Sequence, residues 1–309
     1  MISQKLYLQP ITAEEAVKMA HEHQTNCCFI AGGTDVIVNK FQGNQAASCL
    51  IDLTGIVEMK QIIRIGKHLK IGATVTLNEI KNNPDIVQTF PLLIDAIDAI
   101  ASPVIRKTAT IGGNLLCENR CVFYNQSEWW REAVGYCLKC KGDICIASGG
   151  DKKCFSKFVS DVAIALISMN AYIEVVEYNS CYFIPLEEIY TGDGIIPHKL
   201  NSMTIIKSIH IPINEGFRSV FKKLRQRESI DFTSLTTAVT INKYGKIKIV
   251  LGGVDPKPII IEGTANDTEE LIRLATKKPR IVDNDVFLRE YRKEMIGVFL
   301  NRSFNELSL

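Results

Sequence analysis

Six of the chain's ten cysteines fall between Cys117 and Cys154, in the stretch CENRCVFYNQSEWWREAVGYCLKCKGDICIASGGDKKC, which also holds both tryptophans. A segment this crowded with thiols folds around something: a metal, a cluster or a set of disulfides. The compartment bears on the choice. The N-terminal run MISQKLYLQPITAEEAV has no basic region followed by an apolar stretch, so no signal peptide is expected. The most apolar stretch, Val162 to Val176, is broken by Ser168, Asn170 and Glu174 and is too short and polar to cross a bilayer. A cytoplasmic protein is expected, in which thiols stay reduced and crowded cysteines point to metal ligation or catalysis. The net charge of +2, with basic and acidic residues interleaved as in KKLRQRESID, argues against a polyanion-binding surface.

With 309 residues, the chain is long enough for two domains or one large one with subdomains. Ile11 to His23 reads as an amphipathic helix, with Thr12 as N-cap and Glu15 completing a capping box. A short apolar strand, CCFIAG, follows, then DVIVNKF and a second short apolar segment, CLIDLTGI. Gln61 to Ile65 and Leu69 to Ala73 alternate around a Gly66-Lys67 turn and read as a hairpin. Helices are expected over Thr76 to Lys81, Pro91 to Ile100 and Ser160 to Leu166, and strands over Ala171 to Tyr178 and Thr204 to Ile211. Pro212 to Gly216 is the expected boundary. Strands over Phe217 to Leu224, Thr236 to Asn242 and Lys246 to Gly252 come next, then helices over Thr268 to Lys277 and Asn284 to Phe299. The many short strands predict an α+β fold.

Two glycine loops stand out, Phe29-Ile-Ala-Gly-Gly-Thr-Asp35 and Ala109-Thr-Ile-Gly-Gly-Asn114. Glycine lets backbone N–H groups approach a phosphate and form an anion-binding concavity. Thr34, Thr110 and Asn114 can add side-chain donors. Two such loops predict a diphosphate held between two lobes, whereas one Gly-Gly pair, such as Gly252-Gly253, reads as a turn. The chain has neither GxGxxG nor GxxxxGK[ST], so a Rossmann or P-loop site is not expected.

In the crowded segment only Cys137 and Cys140 form a CxxC pair, and no second pair answers it, which counts against a zinc knuckle. Irregular spacing among glycines and aromatics suits an iron–sulfur cluster, but spacing alone does not choose the four ligands from Cys117, Cys121, Cys137, Cys140, Cys145 and Cys154. Cys27, Cys28, Cys49 and Cys181 sit beside apolar residues and read as free core thiols.

The segments AGGTD, TIGGN and SDVAIAL, the strand ending SIHIP and the run FKKLRQRESID resemble, in order and over nearly the whole chain, the FAD-binding medium subunits of the molybdenum hydroxylase family, the xanthine dehydrogenase relatives. The insert after TIGGNLL resembles the one in β subunits of 4-hydroxybenzoyl-CoA reductases. The resemblance implies an α+β chain with a two-subdomain FAD-binding fold of the vanillyl-alcohol-oxidase (PCMH) type over 1–212. Its subdomains would span about 1–55 and 56–212, with a 4Fe–4S insert at 117–158. A C-terminal domain of the CO-dehydrogenase flavoprotein type would cover 213–309. FAD is thereby expected on Phe29, Ile30, Ala31, Gly32, Gly33, Thr34, Asp35 and Val36, and on Thr110, Ile111, Gly112, Gly113 and Asn114. Asp161 and Lys222 would hydrogen-bond the cofactor and Ile206 would pack on the flavin. Cys121, Cys137, Cys145 and Cys154 would hold the 4Fe–4S cluster, leaving Cys117 and Cys140 over.

The resemblance also implies partners: a large molybdopterin subunit, a small subunit with two 2Fe–2S clusters, and ferredoxin as electron donor, in a dimer of heterotrimers. The chain would relay electrons and never touch the aromatic substrate. A flavin subunit serving an NAD-dependent xanthine or aldehyde dehydrogenase is the competing expectation.

Overall fold

A computed structural model of the chain describes residues 5–213 and 216–309. Its first sheet is parallel, with strands β1 (Leu6–Leu8), β2 (Cys27–Ile30) and β3 (Cys49–Asp52) in the order β1-β3-β2. Parallel strands need a crossover, and the helix Ala13–His23 carries the chain from β1 to β2, the two strands that flank β3. It buries Ala13, Ala16, Val17 and Ala20, spaced i, i+3, i+4, i+7 along one face. Thr12 Oγ accepts from Glu15 N–H at 3.1 Å. The Glu15 carboxylate reaches past the expected box to Ile11 N–H, at 2.7 Å.

The second sheet contains β4 (Ile62–Ile65), β5 (His68–Gly72), β6 (Tyr172–Glu177), β7 (Ser180–Pro185) and β8 (Ile205–Pro212), antiparallel in the order β4-β5-β8-β6-β7. Its two halves come from opposite sides of the cysteine-rich segment, which therefore leaves and re-enters the fold as an excursion. Short helices Leu77–Lys81, Pro84–Thr89 and Pro91–Asp98 follow β5. The third sheet, β9 (Arg218–Leu224), β10 (Leu235–Ile241), β11 (Lys246–Gly252) and β12 (Ile259–Thr264), is an antiparallel meander. The helices Thr268–Lys277 and Arg289–Glu306 share a separate apolar core with it.

The helix Asp161–Ser168 joins these layers. Every one of its residues is buried, so it has no solvent face and must be covered all round. On one side Ile164 meets Gly252 so closely that an added Cβ there would lie 2.9 Å from it.

Several elements differ from the sequence reading. The last helix starts at Arg289 rather than Asn284, because Asn284 is used elsewhere: its amide donates to Phe155 O and its carbonyl accepts from Val122 N–H. The strands β1, β7 and β12 and the helix Pro84–Thr89 had no expectation attached, since each is only three to six residues long, too short for a firm periodicity. Asn214 and Glu215 of the expected boundary lie outside the described residues. No helix among the described residues is long and apolar enough to cross a membrane.

Candidate functional site

A cavity of about 670 Å³ opens where the three sheets converge, within the range of cofactor sites. The end of β2 and the segment after it contribute Phe29 through Val36 to its wall, and Thr110, Gly112, Gly113 and Asn114 line it from the second glycine loop. Ile111 does not; it is fully buried in the core beneath.

The two glycine loops do not share one chemistry. In the second, the backbone amides are already used: Ile111 N–H donates to Val75 O, Gly112 N–H to Ala73 O, Gly113 N–H to Thr110 Oγ and Asn114 N–H to Thr110 O. Gly112 is there for close approach, since a Cβ would lie 2.8 Å from that of Ala73. In the first loop, the N–H groups of Gly32, Gly33, Thr34 and Asp35 meet no acceptor among the described residues. Gly33 takes a left-handed φ of 69°, which turns consecutive amides toward one side. The first loop therefore offers the free donors, and the second braces it: a Cβ on Gly32 would sit 1.9 Å from Thr108 O.

Asp161 lines the cavity and is fully engaged. Its carboxylate accepts from Lys223 Nζ and from Thr236 Oγ, each at 2.6 Å. Lys223 Nζ also donates to Ala99 O and Asp231 O, which ties β9 to the cavity rim. Lys222, the expected lysine, does not line the cavity; it pairs with Glu306 of the last helix. Successive side chains on a strand face opposite ways, so a one-residue shift along β9 exchanges the cavity lysine for the one on the far face. Ile206 lines the wall, nearly fully buried.

Cys117, left without a role by the sequence reading, is half-buried in the lining, and desolvation pushes its thiol up to about 11. Two further polar lining residues, Arg120 and His198, escaped that reading. Arg120 ion-pairs with Asp35 of the first glycine loop and lies 4.5 Å from the Phe232 ring centroid, with its buried Nε unpartnered. His198 presents an unpartnered, enclosed Nε2. None belongs to a readable motif; an arginine next to Cys121 was the only available hint. A cavity of this size, with free amides at one end, apolar walls and orphaned polar atoms awaiting partners, fits FAD.

A second, much smaller cavity lies inside the excursion. Cys121, Cys137, Cys145 and Cys154 line it, together with Tyr124, Leu138, Lys139 and Ser156. Cys140 stays outside that lining, and Cys117 faces the larger cavity. Turns wrap the four thiols: Cys140 and Gly142 N–H groups both donate to Cys137 O, and Cys145 N–H donates to Gly150 O at 2.7 Å. Gly142 has no room for a side chain, since its Cβ would lie 1.6 Å from Tyr136 O. Burial raises Cys121 to about 11 and also raises Cys154, so these thiols are protonated unless a metal takes them. Among the described residues, no group of three or more His, Cys, Asp or Glu side chains is drawn tightly enough to hold a single metal ion. A cluster makes a different demand, because each thiolate binds a separate iron of a cube and the sulfurs spread apart. Four of the six clustered thiols line this one cavity.

The C-terminal segment clamps the base of the excursion. Asn119 Nδ2 donates to Ser156 O and Pro256 O, Asn284 Nδ2 donates to Phe155 O, and Lys157 ion-pairs with buried Asp285. Arg292, completely buried, donates to the carbonyls of Ser234, Val282 and Gly253 and to Asn284 Oδ1.

Residues 2–214 match the family model described as the FAD binding domain in molybdopterin dehydrogenase. The chain is 27% identical to the aldehyde oxidoreductase FAD-binding subunit of Escherichia coli K12, over 76% of each protein. It is 21% identical to the glyceraldehyde dehydrogenase medium chain of Sulfolobus acidocaldarius, over 98% of each. Reconstituted CO dehydrogenase from Oligotropha carboxidovorans has a chain of the same fold, with a TM-score of 0.79 at 19% identity, covering 99% of this chain and 98% of that one. The fold is thus the mixed helix-and-sheet FAD-binding type of these medium chains. Since the family model covers well over half of the sequence, the chain belongs to the FAD-binding subunits of the molybdenum hydroxylases, the xanthine dehydrogenase relatives.

Proposed function

We propose that this chain is the electron-relay subunit of a molybdenum-dependent complex similar to 4-hydroxybenzoyl-CoA reductase. It would carry FAD in the large cavity and a 4Fe–4S cluster on Cys121, Cys137, Cys145 and Cys154. One observation carries the reading: these four of the six clustered cysteines line one buried cavity, while Cys117 and Cys140 lie outside its lining. When bound, FAD exchanges one or two electrons and a cluster one. The chain's own residues hold and insulate. Gly32 to Asp35 would donate N–H groups to the diphosphate, Ile206 would pack on the flavin, and the Lys223–Asp161 pair fixes the rim. Arg120, at the start of the excursion, ion-pairs with Asp35 and so ties the excursion to the first glycine loop.

The chain would form the medium subunit beside a large molybdopterin subunit and a small subunit with two 2Fe–2S clusters, with two such heterotrimers associating. Domains would divide at 212/213, and the insert would span 117–158. Trp129 and Ile144 stand exposed on the insert and suit docking of a ferredoxin as electron donor. The test is composition. Chain purified without oxygen should contain FAD, iron and acid-labile sulfide, and Cys145→Ser should lose the iron and sulfide while keeping FAD. Full 4Fe–4S content in Cys145→Ser would remove that residue from the ligand set. Reduction of the assembled complex by NADH but not by reduced ferredoxin would overturn the ferredoxin-linked role.

A further inference from the structure

A carboxylate stands where an anion is expected to bind. Asp35 follows Gly32, Gly33 and Thr34, whose N–H groups are free among the described residues, and it lines the large cavity with them. It holds the N-cap position of the helix Val36–Phe41, but its side chain caps nothing there. The carboxylate turns instead to Arg120, its one side-chain partner among the described residues. Arg120 is held in place from outside the loop. Its N–H donates to Lys157 O at 3.0 Å and its carbonyl accepts from Lys157 N–H at 2.8 Å. Its guanidinium lies 4.5 Å from the Phe232 ring centroid. The Asp35 side chain is 34% exposed, so its charge stays open to whatever enters the cavity, whereas that of Arg120 is 11% exposed. The other carboxylates of the lining are answered in the same way: Asp161 pairs with Lys223 and Asp231 with Arg227. Of the three, Asp35 is the one that adjoins the free amides of the glycine loop.

We propose that Arg120 is a positioning residue for the flavin dinucleotide: by neutralising Asp35 it lets the first glycine loop accept an anionic diphosphate. The inference rests on the cavity being the FAD site. A bare carboxylate next to those amides would repel the phosphates, and a neutral pair leaves the N–H dipoles to act. Arginine suits the task because it stays charged when partly buried and its planar cation packs on an aromatic ring.

The test titrates FAD into the full chain stripped of flavin. Flavin fluorescence reads the affinity and circular dichroism reads the melt of each flavin-free form. Arg120→Met should weaken FAD binding about 10- to 100-fold, the effect of one uncompensated charge a few ångströms from a diphosphate at an effective dielectric constant of about 20. Adding Asp35→Asn to that variant should bring the affinity back to within about threefold of the parent. Asp35→Asn alone should leave the affinity unchanged or tighten it. The loss in Arg120→Met should also shrink as sodium chloride rises from about 0.01 M to about 0.5 M, because salt screens the repulsion. A purely structural contact gives a loss that salt does not move. FAD binding by Arg120→Met within about twofold of the parent overturns the proposal, as does a double variant as weak as Arg120→Met. Should Arg120→Met fail to fold, Asp35→Asn decides: weaker binding overturns the proposal, and equal or tighter binding supports it. Failure of the unsubstituted chain to take up FAD sinks the underlying assignment of the cavity, and the proposal with it.

Discussion

Gly32→Ala is the sharpest probe of how the flavin cavity is built. The new Cβ would lie 1.9 Å from Thr108 O and 2.6 Å from Thr108 C. Ordinary contact begins at 3.4 Å, so the two backbones must part by 3.4 − 1.9 = 1.5 Å. A Cβ has no rotamer to escape through, and the atom it meets is a backbone carbonyl rather than a flexible side chain. Overpacking of this kind costs about 1–3 kcal/mol. The clash separates the two loops that line the cavity, so the cost falls on the arrangement that binds FAD. At about 1.4 kcal/mol per tenfold, FAD affinity should drop about 5- to 150-fold. Flavin-fluorescence titration of the stripped full-length chain measures this, with circular dichroism to verify the fold. Gly297→Ala is the control: its nearest atom is 3.9 Å away, in the interior of the last helix, where alanine should stabilise by about 0.5–1 kcal/mol. A Gly32→Ala protein that binds FAD within twofold of the parent and melts with it would refute the close-approach argument.

The lysine pair on β9 gives a second contrast. Lys223→Met leaves the Asp161 carboxylate buried and unpaired and should cost about 3–5 kcal/mol in urea unfolding, whereas Lys222→Met, which breaks a partly exposed pair with Glu306, should cost about 1 kcal/mol or less. Arg292→Met strands the carbonyls of Ser234, Val282 and Gly253; it should destabilise by about 3–5 kcal/mol and speed proteolysis within 117–154, read by mass spectrometry. Stability should also depend on pH through His198. Its folded value of about 4 lies below the ordinary 6.5, so between these the unfolded chain binds the extra proton. The contribution is complete above about pH 6.5 and is lost as pH falls toward 4, by up to about 3 kcal/mol. His198→Gln should flatten that part of the pH–stability curve of the flavin-free chain, and an unchanged slope would show that the imidazole does not titrate there.

Local chemistry explains what was readable in the chain. Thr12 and Thr76 sit at the starts of their helices because a hydroxyl N-cap needs only neighbours within four residues. The 61–73 hairpin and the strands 205–212 and 235–252 follow from alternation and turn residues that are contiguous in sequence. The cysteine excursion was visible from composition alone, because thiols crowd there at odds with the rest of the chain. The choice between Lys222 and Lys223 was not readable. The sequence places them side by side, and only the pairing register of β9 with β10 decides which faces Asp161. The same holds for Asn284, whose helix-compatible neighbourhood gave no sign that its side chain and carbonyl bind the excursion.

The sequence by itself determined the α+β class, the positions of the glycine loops and the segment that gathers the thiols, since each is written in adjacent residues. Only tertiary structure decided that one glycine loop keeps its amides free while the other spends them on Ala73, Val75 and Thr110. It alone brought Arg120, His198 and Phe232 to a single cavity. Which donors are satisfied and which polar atoms are left waiting depends on chain segments separated by tens to hundreds of residues, and nothing local encodes that sum.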